Sequence, residues 1–251
     1  MKRGVFFDLY GTLFVYGDLK KACADWHHHF YISLRYYGLD LSEEEFAREC
    51  ETNFWTDKPA LNEPNLTVFE NYIKSFCVSH DITVIDESVS SIADLIAGKW
   101  QESISVDPDA VPVLKKLKEE GMILGLISNF DHPRHLRKHI IKNGLKHFFE
   151  TIIISGEAGV KKPNPEILAP ALCETGLEPD EVVYVGDSEV DIEAALAAGV
   201  MPILIDRQSK EIDDALCFID RDSSHGRQSD TFHSEKSCKT ISSLKEVLAL
   251  L

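Results

Sequence analysis

No run of apolar residues in this 251-residue chain approaches the ~20 needed to span a bilayer, so no membrane partner is expected. Nor is there a signal-like cleavage region after Met1-Lys2-Arg3, which leads straight into a strand-like run; a cytoplasmic protein is expected. Basic residues are scarce, with 26 Lys and Arg against 42 Asp and Glu and a formal net charge of −16. That balance disfavours nucleic acid, whose phosphates require a basic surface. It leaves open a small anionic substrate, which responds to the local field of a cleft. The six cysteines (Cys23, Cys50, Cys77, Cys173, Cys217 and Cys238) contain no CxxC pair. Their scatter argues against a zinc cluster or disulfide framework and for a reducing compartment. There is no internal repeat.

What is present divides into two regimes. The first strand-like run is Gly4–Leu9, and from about Asp18 to Gln101 the spacing is helical. Phe30, Leu34 and Tyr37 recur at three and four residues, as do Val68, Tyr72 and Phe76. Breaker-rich pieces at Gly38–Asp40 and Lys58–Pro64 divide this block, and Ser42 with Glu45 predicts a capping box. From Pro108 onward helices alternate with apolar strands at Met122–Ile127, Thr151–Ile154, Val182–Val185 and Met201–Ile205. Such alternation predicts an α/β fold with a parallel, doubly wound, Rossmann-like sheet. The simplest arrangement puts Gly4–Leu9 in that sheet, with the all-helical block inserted as a cap: core 1–15 and 104–251, cap 16–103. Trp26, Trp55 and Trp100 are expected to pack the cap or its hinge, with Trp55 a candidate to line the pocket. The polar stretch Arg221–Lys239 reads as a loop, and Ser242–Leu251 as a closing amphipathic helix.

Four strand ends carry polar groups of one consistent kind. The first supplies Asp8 and Thr12, the second Ser128 and Asn129, the third Lys162, and the fourth Asp187 with Asp191. Each alone has a plain structural reading, as a helix entry, a surface charge or an N-cap. Together they put a carboxylate nucleophile, neutral donors, a cation and metal-type carboxylates at the carboxyl edge of one sheet, where open α/β folds build their sites. His27-His28-His29 is not read as a metal cluster, because successive helical residues point in different directions.

These four motifs, in order and across nearly the whole chain, resemble the haloacid dehalogenase (HAD) superfamily, subfamily I with a helical C1-type cap. The resemblance implies a hydrolase in which Asp8 is the nucleophile. It implies that Ser128 and Lys162 hold the substrate's anionic group, with Thr12 and Asn129 beside them. It further implies Mg²⁺ bound by Asp8, Asp187 and the backbone carbonyl of Tyr10, with Asp191 in support.

Tyr10 opens the question of reaction. HAD phosphatases generally carry Asp there, as proton donor to the leaving alkoxide and then base for water. A phenol with an ordinary pKa near ~10 is a poor base at neutrality, so the catalytic set reads Asp8, Lys162 and Tyr10 with an altered donor. Asp131 or His132 is a candidate replacement, and a substrate with a good leaving group is another solution. The Asp8-Leu9-Tyr10-Gly11-Thr12 form resembles 2-haloacid dehalogenases, which release halide without a proton. Against that, Gly186-Asp187 is the metal-binding form, no arginine precedes Arg35 in the first cap helix, and Leu168 stands where dehalogenases have tyrosine. The expected substrate is therefore a small phosphate monoester hydrolysed with Mg²⁺; the alternatives are a haloacid, or a non-catalytic anion-binding descendant.

Overall fold

The computed structural model describes residues 1–54, 58–207 and 238–251. Trp55, Cys217 and residues 221–237 of the polar stretch lie outside the described residues. The chain order begins β1 (Gly4–Phe7), β2 (Phe14–Tyr16), α1 (Leu19–Tyr36), α2 (Glu43–Glu49), α3 (Val68–Ser79) and α4 (Asp86–Gln101). It continues β3 (Ile104–Val106), α5 (Ala110–Glu119), β4 (Ile123–Ser128), α6 (Pro133–Lys142), β5 (Thr151–Ile154), α7 (Ser155–Ala158) and α8 (Ala169–Thr175). The last elements are β6 (Val182–Gly186), α9 (Glu189–Ala197), β7 (Met201–Ile205) and β8 (Lys239–Ile241).

Six strands form one sheet in the order β5-β4-β1-β6-β7-β8, and every pairing is parallel. The central strands read as continuous apolar runs because helices cover both faces: every residue of β1 and β6 is buried. Strand β1 is shorter than the Gly4–Leu9 expected, ending at Phe7. Asp8 still donates its N–H to Val185 at 2.9 Å, and the chain then turns sharply as Leu13 and Phe14 both donate to the Leu9 carbonyl. Strand β8 was missed because it is a three-residue edge strand with two exposed residues, and it takes Lys239 out of the expected loop. The closing segment is a 3₁₀ helix over Leu244–Ala249, shorter and tighter than the α-helix its sequence suggested.

The helical block α1–α4 leaves and re-enters through two adjacent strands, β2 and β3, which pair antiparallel from Phe14↔Val106 to Tyr16↔Ile104. Inside the block, α1 buries Trp26, Phe30 and Leu34 on one stripe, and Phe30 meets Phe46, Phe54 and Phe76 at ring distances of 5.2 to 5.8 Å. The predicted capping box at Ser42 and Glu45 is present, and a second one, Thr67 with Glu70, starts α3. The block does not stand apart from the sheet, for one apolar cluster runs from Val5 and Phe7 through Tyr10 and Phe14 into Trp100 and Trp26. Trp100 joins the two parts: it is 1% exposed and packs edge-on against Tyr10 at 5.1 Å.

Truncating a side chain this buried leaves a cavity across that junction. Trp100→Ala is expected to lose about 3–5 kcal/mol in urea unfolding. A loss under about 1 kcal/mol would mean that the junction repacks freely.

Candidate active site

Strand register determines which residues meet. Phe7 lies beside Leu126 of β4 on one side and Val185 of β6 on the other. The next residue, Asp8, therefore emerges between the ends of β4 at Ser128 and β6 at Gly186, and it is 5% exposed. Thus the first, second and fourth motifs converge through register alone. The third arrives on the loop after α7, and there Asn129 holds Lys162 from both sides of its backbone: Asn129 Oδ1 accepts from the Lys162 N–H at 2.9 Å, and Nδ2 donates to the Lys162 carbonyl at 3.1 Å. The Asn129 amide, expected at the substrate, thus bonds the lysine's backbone on both sides.

Lys162 Nζ donates to Asp8 Oδ1 and to Asp191 Oδ1, each at 2.6 Å, with all three side chains at least nine-tenths buried. Burial alone would lower the lysine's pKa, but the charges of Asp191 and Asp8 hold it well above its ordinary value, so it remains an ammonium. Asp191 is fixed on its other side, where Oδ2 accepts the Ser188 hydroxyl at 2.5 Å and the Ser188 N–H at 3.1 Å. The motif-four residues thus form a capping box on α9. Tyr184, in the middle of β6, donates its hydroxyl to the Ile127 carbonyl and stands 3.2 Å from Asp191 Oδ1. Burial raises its phenol pKa well above the usual value, so it stays protonated.

Asp187 completes the group: carboxylate oxygens of Asp8, Asp187 and Asp191 lie within 4.8 Å of one another. Two backbone positions make this closeness possible. Gly11 has φ +81, and a Cβ there would meet Asp187 Oδ2 at 2.0 Å; a Cβ on Gly186 would meet Asp191 at 2.4 Å. Lys162 pairs with Asp8 and Asp191, and Asp187 brings a third carboxylate to the same point. Hard oxygen donors converging in this way suit a divalent cation. The buried Thr12 hydroxyl has no hydrogen-bond partner among the described residues, a further group available to a ligand.

Three participants were not legible in the sequence. Arg207 donates to the carbonyls of Gly11 and Thr12 and pairs with Asp107 at 2.6 Å, pinning the turn that follows Asp8. Tyr184 lies inside an apolar strand, and Gln101 inside a helix; no local signal marks either. Gln101 Nε2 donates to the Tyr10 hydroxyl at 2.7 Å, while the Tyr10 ring packs against Phe14, Trp100 and Phe130. Tyr10 is 3% exposed. His132, considered as a replacement donor, has both ring nitrogens engaged, Nε2 with Asp94 and Nδ1 with Thr67. Of the three consecutive histidines, His28 reaches Glu43 and His29 the Asp25 carbonyl, and the run forms no cluster.

Removing the cation from this set leaves two buried carboxylates facing each other. Lys162→Met is expected to cost about 3–5 kcal/mol by chemical denaturation, as for a broken buried ion pair. Unchanged stability would show that the pocket accommodates the bare acids.

The fold and the four converging motifs match known proteins. A family model for haloacid dehalogenase-like hydrolases covers residues 2–199. A phosphoglycolate phosphatase of Yersinia pestis is 37% identical over 197 residues, 78% of each chain. A glyceraldehyde 3-phosphate phosphatase of Methanopyrus kandleri is 41% identical over 101 residues, 40% of this chain and 43% of its own. With it and with a phosphoserine phosphatase of Thermus thermophilus (40% of its length), the match thus spans about two-fifths of the relative. Among solved structures, a HAD phosphatase from Thermococcus onnurineus superposes with TM-score 0.66 at 20% identity, covering 100% of this chain and 97% of that one. A 2-haloacid dehalogenase from Pseudomonas syringae gives 0.64 at 19%, covering 100% and 98%. At those identities the likeness is one of fold. The chain belongs to the haloacid dehalogenase-like hydrolases.

Proposed function

We propose that the protein is a Mg²⁺-dependent phosphatase of small phosphate monoesters, with Asp8 as the nucleophile. The observation that carries this reading is the convergence of the Asp8, Asp187 and Asp191 carboxylates within 4.8 Å of one another, with Lys162 paired to Asp8 and Asp191. A haloacid brings a single carboxylate and loses halide; it gives no reason to assemble acids that repel the substrate. A phosphate monoester hydrolysed with the help of a divalent ion would give one. The three relatives named above support the same reading, since each is a phosphatase of a small phosphate ester by name.

In this reading Asp8, Asp187 and the Tyr10 carbonyl hold Mg²⁺. Bound there, the ion would offset the repulsion between an anionic phosphate and the Asp8 carboxylate. Asp8 attacks phosphorus in line with the ester oxygen, which departs as its anion and leaves an aspartyl phosphate; water then attacks the same phosphorus, breaking its bond to Asp8 and releasing inorganic phosphate and a proton to solvent. Lys162 balances charge on the equatorial oxygens, while Ser128 and Thr12 orient them. Asn129 and Asp191 position the lysine, and Tyr10 acts as a buried hydrogen-bonding group without the shuttle role of an acid. Residues 16–103 serve as the cap and 1–15 with 104–251 as the core. Without a carboxylic acid at position ten, departure of a poor leaving group is slow, so the preferred substrates are acyl or aryl phosphates with acidic leaving groups.

One panel tests these assignments together: aryl and alkyl phosphates and 2-chloropropionate, each with Mg²⁺ and with chelator. The expected result is phosphate release only with Mg²⁺, faster for more acidic leaving groups, and reduced to background in Asp8→Asn. Chelator-resistant chloride release would establish the dehalogenase reading, and rates independent of leaving group would restore a proton donor.

A further inference from the structure

Apart from the Asp8 pocket, one other group of described residues brings metal-binding atoms together: Asp94 of α4 with His132 and His135 at the start of α6. Asp94 belongs to the helical block and the two histidines to the α/β part, so the cluster spans the junction. His132 Nε2 lies 3.0 Å and His135 Nδ1 2.9 Å from the same oxygen, Asp94 Oδ1. The two rings are nearly parallel, at 14° and 5.5 Å between centroids. Each remaining ring nitrogen has an outer partner, His132 Nδ1 with Thr67 Oγ1 at 3.1 Å and His135 Nε2 with Gln101 Oε1 at 2.9 Å. Such partners are what fix the tautomer and orientation of metal-binding imidazoles. The second Asp94 oxygen accepts from Lys138 Nζ at 2.8 Å.

The Gln101 amide joins this cluster to the first strand's end, meeting His135 Nε2 at 2.9 Å and the Tyr10 hydroxyl at 2.7 Å.

We propose that Asp94, His132 and His135 form a binding site for a divalent d-block ion of the zinc type, tying the helical block to the α/β part. Two imidazoles and one carboxylate suit zinc better than the oxygen-seeking Mg²⁺ or Ca²⁺. Zinc bonds to nitrogen and oxygen imply ligand atoms about 3.3 Å apart in a tetrahedron; here the two nitrogen-to-oxygen spacings are 2.9 and 3.0 Å, and all three ligand atoms lie within 4.8 Å of one another. Asp94 is 40% exposed, which gives an ion a route from solvent and water a place as the fourth ligand. Through Gln101 the site reaches the Tyr10 hydroxyl, so a bound ion would stiffen the seat of that residue. The proposal stands whatever reaction Asp8 performs.

Cobalt(II) tests it, because four-coordinate nitrogen and oxygen ligation gives strong visible absorption whereas a six-oxygen site gives weak absorption. Titration of the intact, chelator-treated protein is expected to show one tight equivalent with strong absorption, displaced by Zn²⁺ and not by excess Mg²⁺. Zn²⁺ should also raise the unfolding temperature. Asp94→Asn and His135→Gln should lose the band, and Asp187→Asn should keep it. If a variant fails to fold, the titration of the unmodified protein still decides. A weak, Mg²⁺-displaced spectrum, no absorption at all, or a band that survives Asp94→Asn but not Asp187→Asn would overturn the proposal and leave the cluster a hydrogen-bond network only.

Discussion

Asp8 and Asp191 share the Lys162 ammonium at the end of a buried parallel sheet, with the Asp187 carboxylate beside them, and much of the molecule is arranged to keep them there. Asp8 is fixed by the register of β1 between β4 and β6. Lys162 is fixed by the two-sided grip of Asn129, and Asp191 by Ser188 and the lysine itself. A buried ion pair of this kind contributes little net stability, since desolvation offsets the Coulombic gain. Its effect is to hold Asp8 in one geometry beside the other two carboxylates.

The Tyr10 position shows how the helical block enters the chemistry. Its backbone sits two residues after Asp8, while its ring is clamped among Phe14, Trp100 and Phe130 in the shared apolar cluster. Its hydroxyl is taken by Gln101, the last residue of α4. The side chain that replaces the usual acid is thus part of the packing between the two halves of the protein. Loop geometry after Asp8 and the seating of the block are consequently one problem, with Arg207 bracing the same turn from the opposite end of the chain.

Most of the fold was legible because strands covered on both faces must be apolar throughout, and Val182–Val185 or Met201–Ile205 announce themselves. The edge strand β8 was not, because Lys239 and Thr240 face solvent and only Ile241 is buried. Within the site, Asp8, Lys162 and Asp187 stood out by their positions at strand ends. What sequence left hidden is the division of labour. Whether Asn129 touches substrate or holds Lys162 depends on a contact across 33 residues, and the Gln101–Tyr10 bond spans 91. Asp94 and His132 likewise meet across 38 residues, at no spacing a local motif could reveal. Local patterns fix chemistry-bearing positions; long-range packing decides which of them share a proton or a charge.

The account rests on Asp8 accepting a phosphoryl group beside a divalent ion. Beryllofluoride, which mimics a phosphoryl group on a carboxylate, tests this through the ¹⁹F NMR spectrum of the bound complex. The account predicts protein-bound fluorine signals that require Mg²⁺, vanish on chelation and are absent from Asp8→Asn. Bound signals that persist without Mg²⁺ or in Asp8→Asn, or no bound signal at all, would contradict it.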